Sequence, residues 1–211
     1  MRVERVAKSE KKADKFVVSF DEEEEFIVSA AQIADFGLYT GRELTRDEYS
    51  QLRKTIELSS AKTRSLRILG SRSLSEREME KRLVEKGEAE ETARETVQWL
   101  TENGLINDSE YAASIVSHYS AKGYGPARIK DELFRRGIPR EISNEAVSGL
   151  DTAANEEAAL EYIRHKLRGS LVKDDLRSVA NALCRRGYSY EDARAAVRNY
   201  VESAGDTGDA G

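Results

Sequence analysis

A five-residue segment recurs three times along this chain at a constant spacing. The segment Leu83-Val-Glu-Lys-Gly87 is followed 50 residues later by Leu133-Phe-Arg-Arg-Gly137, and another 50 residues later by Leu183-Cys-Arg-Arg-Gly187. Two further sets of apolar residues share this 50-residue offset. One set precedes the leucines (Met79, Ile129 and Val179), and the other follows the glycines (Val97, Val147 and Val197). Self-similarity at a fixed period is the signature of a tandem-repeat protein, whose units pack on their neighbours. We therefore predict three structural repeats.

The spacing of apolar residues inside each repeat predicts α-helices. Residues four apart share a helical face, so Ile129 and Leu133 form one buried stripe, as do their equivalents in the other repeats. In the helix that follows, Ala93, Val97 and Leu100 have the same helical spacing. A further helix precedes each of these pairs, which gives three helices per repeat. These preceding helices are predicted at about 61–71, 108–122 and 155–168.

Residues typical of helix ends support this assignment. Ser75 and Glu78 form a capping-box pattern, and each repeated glycine suits the left-handed position just past a helix end. Pro126 and Pro139 fit in first turns. The first helix of the third repeat fits less well, because Lys166 would align with the apolar Leu66 and Val116 at the 50-residue offset. We predict a local shift of register there.

The residues before the repeats have a different pattern. Phe16, Val18 and Phe20 alternate as in a half-buried strand, residues 21–25 form an acidic turn, and residues 26–28 resume an apolar strand. A short hairpin or small sheet is therefore predicted.

Two helices are predicted to follow this sheet. One is capped by Ser29, runs through Phe36 and ends at Gly37. The other opens on the capping box of Thr45 and Glu48 and continues to about residue 58.

The predicted fold is mainly α, with three tandem three-helix repeats in an elongated right-angled stack after a small α+β N-terminal head. The last residues lack apolar anchors and are predicted to be disordered. The predicted boundaries are 1–58 for the head, 59–107, 108–151 and 152–202 for the repeats, and 203–211 for the tail.

Composition limits the classes of function. The net charge is −5, so any DNA contact must be local, because affinity for polyphosphate comes from Lys and Arg. Cys184 is the single cysteine, which excludes an internal disulfide and fits a reducing compartment. No apolar run approaches the length of a membrane span. We therefore expect a cytoplasmic protein with no membrane partner.

The sequence offers little material for catalysis. His118 and His165 are far apart and neither neighbours Cys184, so no spacing resembles a metal site. Cys184 shares its repeat position with Val84 and Phe134, which favours a small hydrophobic side chain packed in a helix. The Gly123-Tyr-Gly125 segment lacks the Lys and Ser or Thr of a P-loop, and the acidic turn lacks the spacing of a calcium loop. We expect no enzyme, no cofactor and no metal.

Basic residues cluster in the second helix of each repeat. Cations at a helix C-terminus stabilise the helix dipole, which alone explains part of this pattern. Their recurrence also predicts a basic edge that contacts an extended acidic partner. The candidate binding residues are Lys81, Arg82, Arg128, Lys130, Arg135, Arg136, Arg185 and Arg186.

Several of these segments resemble the RecX family over residues 60–201. The segment Gly123-Tyr-Gly-Pro-Ala-Arg-Ile-Lys-Asp-Glu-Leu133 with Arg136-Gly-Ile138 is the most specific match, and residues 72–87 with 99–112 are similar to the first repeat of that family. The resemblance implies a regulator that binds RecA and its nucleoprotein filament. It also implies inhibition of filament extension, ATP hydrolysis, strand exchange and co-protease activity, with DNA as a further candidate contact in that complex.

Two other classes remain as alternatives. A helical DNA-binding protein that acts without a recombinase predicts a concentrated basic face. Residues 61–103 instead carry 9 Lys and Arg against 9 Asp and Glu, and residues 104–150 carry 6 against 6. An enzyme is disfavoured because no set of residues forms a catalytic motif.

Overall fold

The computed structural model describes residues 1–10, 12, 14–21, 24–150 and 152–206. Within them the chain is mainly helical after a small N-terminal sheet, as predicted, and this sheet has three antiparallel strands. The strands are β1 (Val3–Lys8), β2 (Lys15–Phe20) and β3 (Glu25–Ser29). The helices are α1 (Ala30–Asp35), α2 (Arg46–Leu69), α3 (Glu76–Glu85), α4 (Glu90–Glu102), α5 (Asp108–Ala121), α6 (Pro126–Arg135), α7 (Arg140–Ser148), α8 (Thr152–Leu167), α9 (Lys173–Arg185) and α10 (Tyr190–Asp206).

The N-terminal sheet contains one strand that the sequence pattern did not reveal. In β2, Val18 and Phe20 are buried and β3 contributes Val28, as the alternation predicted. The first strand, β1, was not predicted, because its register shifts between Val3 and Arg5 and this shift breaks the two-residue alternation of apolar side chains. Of the predicted acidic turn, residues 22 and 23 lie outside the described residues.

The predicted break between two helices near residue 58 is wrong. Thr45 and Glu48 form the expected capping box, but α2 then runs for 24 residues without interruption. No Gly or Pro separates the two predicted segments, and Leu52, Ala61 and Ser65 are all buried along α2. A continuous helix keeps every internal hydrogen bond that a break would lose.

The chain forms two compact units. The first contains Met1–Arg72 and Met79–Glu102, where α2 packs on α4 through ion pairs from Lys54 to Glu91 and Glu95 and through Lys62, which lies 4.6 Å from the Trp99 ring centre. The second contains Ser73–Glu78 and the chain from Asn103 onward. It holds a separate apolar cluster for each of the last two predicted repeats.

The repeated glycines confirm the predicted register. Gly87, Gly137 and Gly187 follow helix ends with φ of 92°, 77° and 95°. Pro126 is the first residue of α6, as expected, whereas Pro139 is the N-cap of α7 rather than a first-turn residue.

The register shift in the third repeat has a simple structural origin. The connection between α8 and α9 occupies 168–172, whereas the equivalent connection at 122–125 would place it at 172–175 after a 50-residue offset. The turn therefore occurs about one helical turn early. In α8 the buried stripe consists of Ala159, Ile163 and Leu167, which leaves Lys166 exposed.

At the C-terminus, α10 extends to Asp206, so the first residues of the predicted disordered tail are helical. Residues 207–211 of that tail lie outside the described residues. Among the described helices, none combines the length and apolarity needed to cross a membrane.

Candidate partner-binding surface

The start of α6 docks on the end of α9. The backbone N–H of Gly125 donates to the carbonyl of Arg186 at 2.9 Å, and that of Ala127 donates to the carbonyl of Gly187 at 3.1 Å. The free N–H groups at one helix start thus pair with free carbonyls at another helix end. An added Cβ on Gly125 would lie 2.4 Å from the Gly187 carbonyl carbon, so the two backbones touch.

The equivalent contact, one repeat earlier, joins residues of the Ser73–Glu78 segment to the end of α6, both in the second unit. The Ser75 hydroxyl donates to the carbonyl of Arg136 at 2.5 Å and accepts from the Glu78 N–H at 3.0 Å, so the predicted capping serine also makes a long-range contact. Beside it, the Glu76 N–H donates to Asp108 at 3.0 Å. Burial raises the pKa of the Asp108 carboxyl, although this hydrogen bond opposes the rise.

Arg186 is held inside its own unit. Its Nε donates to the carbonyl of Gly123 at 2.9 Å, and a terminal nitrogen donates to that of Lys122. The guanidinium carbon lies 4.4 Å from the Tyr124 ring centre and 4.5 Å from that of Tyr162, so two rings sandwich it. A predicted partner-binding residue therefore joins the last two repeats.

Replacing Arg186 by methionine is expected to lower the unfolding free energy of the second unit by about 1–3 kcal/mol. The change leaves two carbonyls without a charged donor and removes two cation–π contacts. Arg185→Met is the matched control, because Arg185 is exposed and makes no ion pair among the described residues. Thermal unfolding of both variants is the measurement, and equal losses would contradict the structural role of Arg186.

Arg136 also makes internal contacts. Its Nε lies 2.8 Å from Glu132 Oε1, and another nitrogen donates to the Tyr111 hydroxyl. Arg135 forms an ion pair with the same carboxylate. Burial alone would raise the pKa of Glu132, but the hydrogen bond and charge of Arg136, with the charge of Arg135, keep it below its usual value.

The remaining candidates differ in exposure. Lys81, Lys130, Arg135 and Arg185 are exposed, whereas Arg82 and Arg128 are partly buried. Lys81 pairs loosely with Glu85 at 3.8 Å.

The structure brings Arg128 close to the end of α9. Its backbone N would lie 2.3 Å from a Cβ added to Gly187, which explains the partial burial of Arg128. Successive helical residues are about 100° apart, so Arg128 and Lys130 lie on opposite sides of the buried Ile129. Among the described residues, neither forms an ion pair.

Two features of this surface were missed from the sequence. The tyrosines that hold Arg136 and Arg186 follow no spacing that marks them as partners. The position shared by Val84, Phe134 and Cys184 was interpreted as packed, yet Val84 is 38% and Phe134 is 75% exposed. Only Cys184 is partly buried, against the core of the third repeat.

The described residues contain no group of three or more His, Cys, Asp and Glu side chains that could hold a metal ion. His118 lies against Tyr119, with ring centres 5.6 Å apart. The candidate residues on α6 and α9 are cations on helices, and α6 also carries the exposed Phe134.

The architecture defines a class of protein built from consecutive three-helix domains. Residues 61–100 match the family model described as RecX, first three-helix domain, and residues 107–147 match RecX, second three-helix domain. A crystal structure of a regulatory protein RecX has a TM-score of 0.75 to this chain at 21% identity, covering 92% of this chain and 97% of that one.

Sequence relatives agree with this likeness. The regulatory protein RecX of Shigella dysenteriae serotype 1 is 32% identical over 153 residues, which cover 66% of this chain and 90% of that protein. The regulatory protein RecX of Caldanaerobacter subterraneus subsp. tengcongensis is 27% identical over 197 residues, which cover 93% of this chain and 98% of that protein. The chain belongs to the RecX family.

Proposed function

We propose that this protein binds the RecA recombinase and its filament on single-stranded DNA and inhibits filament extension. Reduced ATP hydrolysis, strand exchange and co-protease activity follow from that inhibition. The observation that carries the proposal is the pair of adjacent RecX three-helix domains, together with relatives named regulatory proteins. The protein acts by binding, and its place of action is the cytoplasm.

The exposed cations of the second unit are the proposed filament contact. Lys130, Arg135 and Arg185 present charge to solvent, and Arg128 lies at the α6–α9 junction without an ion pair among the described residues. Arg136 and Arg186 support this surface from within, because their guanidinium groups are engaged inside the unit. Lys81 and Arg82 are proposed as a separate contribution from α3.

The deciding experiment adds substoichiometric protein to RecA filaments on single-stranded DNA and follows ATP hydrolysis. We expect ATPase activity to fall at ratios well below one protein per RecA protomer. Unchanged ATPase at excess protein would contradict the proposal. Filter binding of the protein alone to single-stranded DNA over a salt series tests the DNA-binding alternative, which requires tight and steeply salt-dependent binding.

Reversing two charges on α6 should weaken inhibition without unfolding the protein. In the Arg128→Glu/Lys130→Glu variant we expect slower onset of inhibition and a flatter salt dependence, because charges at the rim of an interface mainly govern association. The fold should persist, since Lys130 is exposed and contributes about 0–1 kcal/mol at most, while Arg128 lies in the first turn of α6, where an acidic side chain suits the helix dipole. The onset of ATPase inhibition at several salt concentrations is the measurement.

A matched control makes the same net charge change elsewhere in the second unit. Arg140→Glu/Lys173→Glu replaces exposed cations at the first residues of α7 and α9, where acidic side chains suit the helix dipole. This control should inhibit like the wild type. If both double variants inhibit equally well, the α6 cations are not the contact.

A further inference from the structure

Phe134 is the most exposed large hydrophobic side chain of the described residues. It is 75% exposed, although the preceding residue, Leu133, is completely buried. The two side chains point in different directions because successive positions on α6 are about 100° apart. The face of α6 that carries Phe134 therefore faces solvent.

A single exposed hydrophobic residue is ordinary on a protein surface, so exposure alone marks no site. Tyr190 makes the distinction clear. It is 65% exposed, but Arg194 of its own helix lies 5.6 Å from its ring centre. Within the part of the chain that the structure describes, Phe134 has no ring or cation partner. Its ring is free for a contact with another molecule.

Cations flank this free ring. Lys130 lies one turn earlier on the same side of α6 and is exposed. Arg135 is the next residue, and its guanidinium is paired with the buried Glu132, which limits its freedom while leaving its side chain 55% exposed. Residues that dominate binding energy in protein interfaces are enriched in aromatic side chains such as Trp and Tyr and in Arg, and they occupy well-packed pockets.

The same position is apolar in each repeat, as Val84, Phe134 and Cys184. Val84 is also exposed, so in the first two repeats this position adds little to the core. Packing within the repeat does not explain why a phenylalanine occupies this position in the second repeat. A contact between its ring and another molecule explains it.

We propose that Phe134, with Lys130 and Arg135, is an anchor that enters an apolar pocket bordered by carboxylates on a RecA protomer. This inference rests on the proposed function and assigns its energetic centre. Charge complementarity selects a partner with carboxylates beside an apolar pocket.

A protein partner fits this face better than nucleic acid does. Asp131 lies on the same face of α6, three residues before Phe134, and is exposed. A protein surface can place a hydrogen-bond donor opposite this carboxylate and acidic groups opposite Lys130 and Arg135, whereas a phosphate backbone offers only anionic groups in succession. Sequence-independent binding of single-stranded nucleic acid also relies on successive aromatic side chains along a basic groove.

The test compares Phe134→Ala and Phe134→Leu with Tyr190→Ala as the matched control. We expect Phe134→Ala to raise the concentration that half-inhibits RecA ATPase by about tenfold or more, as for the loss of an interface hot spot. Phe134→Leu should lose less, because it keeps an apolar group. Tyr190→Ala should stay within about twofold of the wild type, because Tyr190 lies outside the anchor.

Three results would overturn the inference, and each has a distinct meaning. Inhibition by Phe134→Ala within twofold of the wild type, with circular dichroism unchanged, shows that the ring is not the anchor. An equal loss in binding of the protein alone to single-stranded DNA shows that the partner is nucleic acid. Failure of the wild type itself to inhibit RecA removes the proposed function together with this inference.

Discussion

Replacing Gly187 by alanine is expected to destabilise the second unit by about 2–5 kcal/mol, whereas Gly87→Ala should cost about 1–2 kcal/mol. Both glycines have a left-handed backbone, with φ of 95° and 92°, which disfavours any Cβ. The difference lies in what surrounds them. A Cβ on Gly187 would lie 2.3 Å from the Arg128 backbone N, while a Cβ on Gly87 would meet nothing within 4 Å.

Chemical denaturation gives the two free energies, and native-state hydrogen exchange locates the loss. Protection should fall in α6 and α9 of Gly187→Ala, because the Ala127 N–H bonds to the Gly187 carbonyl. Gly137→Ala should fall between the two variants, because its Cβ would lie 2.7–3.0 Å from the Cβ, Cγ and Cδ atoms of Arg77, a clash with the near part of a side chain rather than with backbone. Equal costs at Gly87 and Gly187 would show that the α6–α9 contact contributes no stability.

Leu133→Ala is expected to cost about 2–5 kcal/mol, the usual loss for emptying a buried leucine site. Leu133 is fully buried in the cluster that contains Ile129 and Ile138. The adjacent Phe134→Ala should change stability by no more than about 0.5 kcal/mol, because that side chain is mostly in water.

This pair of neighbours also separates stability from binding. Thermal and chemical unfolding should single out Leu133→Ala, and RecA inhibition by the folded fraction should single out Phe134→Ala. Unchanged unfolding of Leu133→Ala would contradict its place in the core. A large loss of stability in Phe134→Ala would show that its ring packs against the chain.

The sequence by itself determined where most helices begin and end. The helix cap at Ser29, the capping boxes at Thr45 and Ser75 and the repeated glycines were all recognised correctly. These signals are local, because a cap bonds to a backbone group only two or three residues away. The buried apolar stripes were also predicted correctly, since helical periodicity places their residues on one face of each helix.

Tertiary structure alone decided what the basic and apolar residues outside those stripes do. Arg186 bonds to carbonyls more than 60 residues away, and no local pattern marks that partner. The bulge in β1 depends on pairing with β2. Leu133 and Phe134 are adjacent large apolar residues, yet Leu133 is buried in the core and Phe134 is exposed. Helix caps and apolar periodicity depend on residues a few positions apart, so the sequence alone reveals them. Burial and long-range pairing depend on which distant segments the fold brings together.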